Sequence, residues 1–184
     1  MSLTSAIDCI KQGKVLLTNT DTIPGLSCDA RNSDAVKKII EIKQRSKDKL
    51  NFVVLVSSDR VLNQCIDEVS EIGWDLIDCS DTPLTLIFEG AKNVAKECMG
   101  EDSTLAIRYI KDGELKLLLD KIQCPMVSTS ANISGQESPK TLKDVSQDII
   151  KNVDLVWESK TTGTGSASTI MKLKANGEFT FIRK

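Results

Sequence analysis

The sequence predicts a single α/β domain, residues 1–184, built on a twisted mixed parallel and antiparallel sheet flanked by helices. Three observations predict it. Short apolar runs that read as buried strands alternate with segments of helical period. Some strands are joined by turns too short for a crossover, which puts antiparallel pairs into the sheet. The 184 residues are 40 % apolar, with no internal repeat and no break in composition, which suits one core.

The elements follow in chain order. Residues 5–12 read as a helix with Ala6, Ile7 and Ile10 on one side, closed by Gly13. Val15 to Leu17 is a continuous apolar run, hence a buried strand. Residues 19–25 are turn formers. Residues 34–45 have helical period through Val36, Ile39, Ile40 and Ile42, with Ser33 as the N-cap candidate. Phe52 to Val56 is a strand, and residues 59–72 a helix ending near Gly73. Leu84 to Phe88 is a strand with Pro83 suited to its start. Thr104 to Tyr109 is a strand, 114–121 a helix, and Pro125 to Thr129 a strand. The next helix starts either with Pro139 in its first turn or with Thr141 as cap and Asp144 three residues on. The stretch TTGTGSAS, 161–168, has the composition of a flexible linker. Thr169 to Leu173 and Phe179 to Ile182 are the last strands.

Composition narrows the chemistry. A net charge of −2 lacks the global signature of a non-specific nucleic-acid binder. Six cysteines are scattered with no C-x-x-C pair, which argues against structural zinc. Without a secretory h-region or a membrane-length apolar run, the expectation is a cytoplasmic protein with free, mostly buried thiols. There is no histidine. That excludes a Ser-His-Asp triad, a histidine base and a histidine metal ligand.

Four polar clusters follow strands or helix ends, where α/β sheets place ligands. Thr20 to Leu26 could hold a small polar substrate, or form a plain Asx turn around Asp21. Lys43, Arg45, Lys47 and Lys49 cluster at a helix end. Over residues 37–49 six basic residues face two acidic ones. That field suits a triphosphate, although cations at a helix C-terminus also simply complement its dipole. Thr104 and Arg108 fall on one face of a strand, where hydroxyl and guanidinium could grip one carboxylate, or they mark a half-polar face. Ser128 to Gly135 crowds hydroxyls, an amide and small residues, so a ligand can approach the backbone; a turn and helix cap would look the same. Neither a Walker loop nor G-x-G-x-x-G is present.

In order and spacing these clusters resemble the YrdC/Sua5 family of L-threonylcarbamoyladenylate synthases, called TsaC in bacteria. The family's P-T-E/D-T-V-Y-G-L is matched by Asn19 to Leu26, and its K-x-R by Lys43-Gln44-Arg45. A P-L-T-L-I segment stands at 83–87, T-x-A-x-R at Thr104 to Arg108, and S-x-S-A-N-x-S-G at Ser128 to Gly135. The final S-T-I and terminal arginine are Ser168 to Ile170 and Arg183. The resemblance covers nearly the whole chain and its single-domain, YrdC-like form.

The resemblance implies that L-threonine, bicarbonate and ATP are joined into threonylcarbamoyl-AMP and pyrophosphate. The product serves N6-threonylcarbamoyladenosine formation at adenosine 37 of tRNA. It implies Mg²⁺ with the ATP, no protein-held metal, downstream tRNA threonylcarbamoyl-transfer proteins as partners, weak contact with tRNA at most, and no membrane. Lys43 and Arg45 would be catalytic. Thr20, Arg108 and Ser168 would hold threonine. Lys43, Arg45, Lys49, Thr104, Ser130, Asn132 and Arg183 would hold ATP.

Four positions depart from the pattern. Asn19 replaces Pro, Pro24 an aromatic expected to wall the threonine pocket, Asp81-Thr82 part of a W-P-G stretch, and Asp112-Gly113 a His-Pro pair. The alternatives are an RNA-binding or assembly-regulating protein reusing the fold, or a carbamoyl-adenylating domain like that of hydrogenase-maturation proteins. Lys43→Ala and Arg45→Ala are expected to lose activity while staying folded.

Overall fold

The computed structural model describes residues 1–44, 52–174 and 177–184. Its helices are α1 (Leu3–Lys11), α2 (Ser33–Ile42), α3 (Asp59–Cys65), α4 (Glu71–Cys79), α5 (Gly113–Ile122) and α6 (Gln147–Ile150). Its strands are β1 (Leu16–Thr18), β2 (Gly25–Asp29), β3 (Val53–Val56), β4 (Leu84–Phe88), β5 (Leu105–Tyr109), β6 (Met126–Ser130), β7 (Leu155–Trp157), β8 (Thr169–Leu173) and β9 (Phe179–Arg183). All nine strands form one sheet in the order β7-β1-β2-β6-β3-β5-β4-β8-β9. Pairing is mixed. β3 runs parallel to β5, β4 to β8 and β1 to β7, and the other neighbours are antiparallel. The predicted fold class is the observed one.

Two strands went unseen in the sequence. β7 has only three residues, and β2 begins within the turn-forming run. β2 is held by pairing on both sides, to β1 and to β6. β6 is distant in sequence, and the turn formers that join β2 to β1 mask where the strand begins. The helix expected over 59–72 is two helices. Ile66 leaves the helical conformation with φ −126° and ψ 140°, and bridges to Ala91. Ser70 then caps α4 through its hydroxyl. Gly73 does not end a helix but lies inside α4. A Cβ there would stand 3.1 Å from Phe88 and 3.2 Å from Leu173, so glycine lets this helix lie close on the sheet.

Smaller expectations resolve by hydrogen bonding. Asn32, not Ser33, caps α2 by accepting from the amides of Asp34 and Ala35. Ser33 instead donates to Glu97 at 2.8 Å. Thr141, not Pro139, opens the next element, in a reciprocal capping box with Asp144.

The two sheet faces are covered unequally. On one, α2, α3 and α4 bury Val36, Ile39, Leu62 and Ile77 against Leu26, Val54, Leu86, Ile107 and Val127. On the other, α1 and α5 place Ile10, Leu115 and Leu118 over Leu16, Leu55 and Met126. That second cluster takes in no residue of β4 or β8. Alternation along the strands puts Val53, Arg108, Ser128 and Ile170 on the same second face, beyond its helical cover.

Cys79 is exposed and the other five cysteines are buried and free. Burial pushes the Cys9 and Cys65 thiols up to about 11, and those of Cys98 and Cys124 to about 12. They pack as small apolar groups. No helix among the described residues is long and apolar enough to cross a membrane.

Candidate active site

The uncovered half of the second face floors a cavity of about 440 Å³, a size that suits a small-molecule ligand. Segments from five places in the sequence wall it.

The loop after β1 supplies Thr20, Thr22 and Ile23. Thr20 organises it: its hydroxyl donates to Ile23 O at 2.7 Å and accepts from the Thr22 amide at 3.1 Å. The turn therefore rests on a threonine hydroxyl and not on the Asp21 carboxylate. Gly25 follows at the start of β2. A Cβ there would lie 2.7 Å from Ser128 Oγ and 3.2 Å from Thr20 Cγ2, so glycine keeps the cavity floor open.

The segment after β6 supplies Ser130, Asn132, Ser134 and Gly135. It is clamped to the end of α2. The Lys43 ammonium donates to the carbonyl of Ser130, to that of Asn132 at 2.8 Å and to Asn132 Oδ1 at 3.2 Å. The Ser134 amide returns a bond to Lys43 O at 2.9 Å. Lys43 is buried, only 3 % exposed. Its charge faces the cavity, but its hydrogens hold the loop. The clamp gives Lys43→Ala an expected cost in stability, where the sequence reading expected folding to be retained. Lys37 and Lys38, counted in the same basic run, point elsewhere: Lys38 pairs with Asp154 at 2.7 Å and Lys37 with Glu97 at 3.6 Å. Arg45, Lys47 and Lys49 lie outside the described residues.

β5 brings Arg108 into the cavity, 5 % exposed. Its Nη2 lies 2.8 Å from Asp21 Oδ1. The contact lacks hydrogen-bond alignment: Arg108 Nε and Asp21 Oδ1 are both buried without a hydrogen-bond partner. Burial holds the guanidinium below its usual pKa, and the nearby charge of Arg183 adds to this. Burial likewise pushes the Asp21 carboxyl up, against the pull of Arg108.

Thr104 does not line the cavity. It stands just before β5, on the face Arg108 shares but four residues away, about 13 Å at strand rise. The expected two-point grip on one carboxylate by Thr104 and Arg108 is therefore corrected. Only a long ligand could meet both.

The last wall is the 161–168 segment with β8 and β9. Ser168 Oγ lies 2.7 Å from Thr85 Oγ1, and its carbonyl accepts from Arg183 Nε at 3.0 Å and Nη2 at 2.8 Å. Arg183 is thereby braced at the rim. The segment is not a loose linker. The Thr164 amide donates to Asp21 O and the Gly165 amide to Thr22 O, both at 3.0 Å. A Cβ on Gly163 would collide with the carbonyl oxygens of Thr20 and Thr22.

Among the described residues the lining includes three cations, Lys43, Arg108 and Arg183, and no carboxylate. With its hydroxyls and the Asn132 amide, the cavity is built for anions. Thr20, Lys43, Arg108, Ser130, Asn132, Ser168 and Arg183, all expected from the sequence, meet here. Sequence reading passed over Thr22 and Ser134, which sit in the quoted motifs without a feature that ranks them, and Ser138, three residues beyond the last of those blocks. It also gave Asp21 a local turn role. Pro24 does not line the cavity; Ile23 does, while Pro24 O accepts from the Ala131 amide.

Comparison with known proteins agrees with this geometry. The Sua5/YciO/YrdC family model, described as telomere recombination, matches residues 8–184. A threonylcarbamoyl-AMP synthase of Pseudoalteromonas translucida is 28 % identical over 172 residues, 92 % of this chain and 91 % of that protein. The crystal structure of P. abyssi Sua5 complexed with L-threonine superposes with a TM-score of 0.84 at 26 % identity. The match covers 93 % of this chain and 50 % of that one, so this chain spans about half of Sua5. E. coli YciO shares the fold, with a TM-score of 0.81 at 21 % identity over 99 % of this chain and 88 % of its own. With a family match that takes in every segment walling the cavity, the chain belongs to the Sua5/YciO/YrdC family.

Proposed function

We propose that the chain is an L-threonylcarbamoyladenylate synthase. It joins L-threonine, bicarbonate and ATP into threonylcarbamoyl-AMP and pyrophosphate, in the cytoplasm, for threonylcarbamoylation of adenosine 37 of tRNA by downstream transfer proteins. The observation that carries this is the cavity itself: among the described residues, three cations, a row of hydroxyls and no carboxylate in one space. The synthase names of relatives matched over nearly the whole chain support it. They favour the enzyme over an RNA-binding protein reusing the fold.

Threonine sits with its carboxylate on Arg108, among the described lining residues the one buried guanidinium with an unpartnered nitrogen. Thr20 and Ser168 close its flanks. The L-threonine complex of P. abyssi Sua5 supports this half of the site. The triphosphate takes the other half, against Lys43, Ser130, Asn132 and Arg183, with Arg45 and Lys49 assigned by motif. Thr104, further along the β5 face, is left to the nucleotide, which is long enough to reach it.

In the reaction the threonine nitrogen, carboxylated by bicarbonate, presents a carbamate oxygen to the α-phosphate, and pyrophosphate leaves. Among the described lining residues there is no carboxylate placed to act as base. The chain contributes positioning and fixed positive charge opposite the charge that develops on the leaving group. Among the described residues no group of three His, Cys, Asp or Glu could hold a metal. Mg²⁺ fits as part of the substrate MgATP, bound to phosphate oxygens.

Product analysis with each substrate omitted in turn tests the reading. Pyrophosphate and an adenylate should form only with threonine, bicarbonate, ATP and Mg²⁺ together. Undiminished turnover without threonine would rule it out. A second expected result concerns the 161–168 segment. Gly163→Ala forces it off the Thr20 loop, so kcat/KM should fall at least about tenfold, with a stability loss of about 1–3 kcal/mol by overpacking. A wild-type rate and melting curve would return the segment to the status of a linker.

A further inference from the structure

Asp21 and Arg108 stand between two cavities. Arg108 lines the first. Asp21 lines a second, of about 270 Å³, together with Leu84, Tyr109 and Asp112. The pair touches at 2.8 Å, yet one polar atom on each side is buried without a hydrogen bond. A buried ion pair is stable when its remaining hydrogen-bonding capacity is met. A guanidinium meets a carboxylate best through two parallel bonds. This pair has neither feature. It neutralises Arg108 without satisfying it.

We infer that Asp21 is a stand-in for the substrate carboxylate, occupying Arg108 in the ligand-free chain and yielding it when threonine arrives. The inference rests on the reading of Arg108 as the threonine carboxylate seat. The second cavity gives the displaced Asp21 side chain an open place to remain charged. Burial outweighs the mutual attraction of the two groups, and their other charged neighbours add to this in smaller part. Asp112 disfavours the Asp21 anion, and Arg183 disfavours the Arg108 cation. The exchange moves no covalent bond: one carboxylate replaces another on the same guanidinium. Its consequence is thermodynamic. Threonine must compete with an internal ligand, so its apparent affinity is lower than the seat alone would give.

The test is calorimetric titration of L-threonine into wild type, Asp21→Asn and Asp21→Ser, with melting curves for each with and without threonine. Removing the competitor should tighten threonine about tenfold. The ligand-free melting temperature should fall, because Arg108 then stands unpaired, and the rise on adding threonine should exceed that of wild type. A residue that merely supported the loop would lower stability and affinity together. Threonine binding by wild type, with equal or weaker binding in the folded variants, overturns the stand-in role and leaves the synthase reading intact. Failure of wild type to bind threonine overturns the synthase reading, and this inference with it.

Discussion

Lys43→Ala is expected to lose activity and stability together. The buried ammonium donates to two carbonyls and a side-chain amide oxygen of the Ser130–Asn132 segment. Alanine leaves these acceptors without their charged donor. At about 1.5–3 kcal/mol per hydrogen bond to a charged group, a loss of about 3 kcal/mol or more follows. For a domain of this size that lowers the melting temperature by about 6–12 °C. The same change removes a fixed positive charge from the triphosphate side, worth about 100-fold or more in kcat/KM. Lys43→Arg separates the two effects: it keeps the charge but cannot place one ammonium among three oxygens, so activity should recover only in part. A Lys43→Ala chain that melts like wild type would show that the loop is held by its backbone bonds alone.

The second large effect is at Arg108. Arg108→Leu should weaken threonine binding at least about 100-fold, since two charge-assisted bonds to a carboxylate are lost. ATP binding measured without threonine should change little. The variant also takes the counter-ion from Asp21, whose carboxylate must then turn to the second cavity to stay charged, so its stability should drop. Adding Asp21→Asn to Arg108→Leu should restore stability without restoring threonine binding. That divergence separates the role of Arg108 as a binding group from its role as half of an ion pair. Near-normal threonine affinity in Arg108→Leu would move the carboxylate seat elsewhere in the cavity.

Several parts of this molecule were legible from residue order alone. Apolar runs such as Val15 to Leu17 announce buried strands, because only a strand covered on both faces tolerates continuous apolar side chains. The α2 segment carries its own period and the S-A-N-x-S-G block its own composition. Those local signals pointed to the α/β class and to the polar clusters holding Thr20, Lys43, Arg108, Ser130 and Asn132, while Ser168 and Arg183 came only from the family resemblance.

Other features are properties of pairs that only folding brings together. β2 exists because β1 and β6 offer it hydrogen bonds on both edges. Lys43 is a clamp because the loop after β6 ends above the C-terminus of α2. Asp21 faces Arg108 because the β1–β2 loop closes over β5, and Thr104 is separated from Arg108 by the rise of the strand they share. Sequence determines what a residue can donate, accept or bury. Which donor meets which acceptor depends on contacts between residues far apart in the chain, and tertiary structure alone decides those.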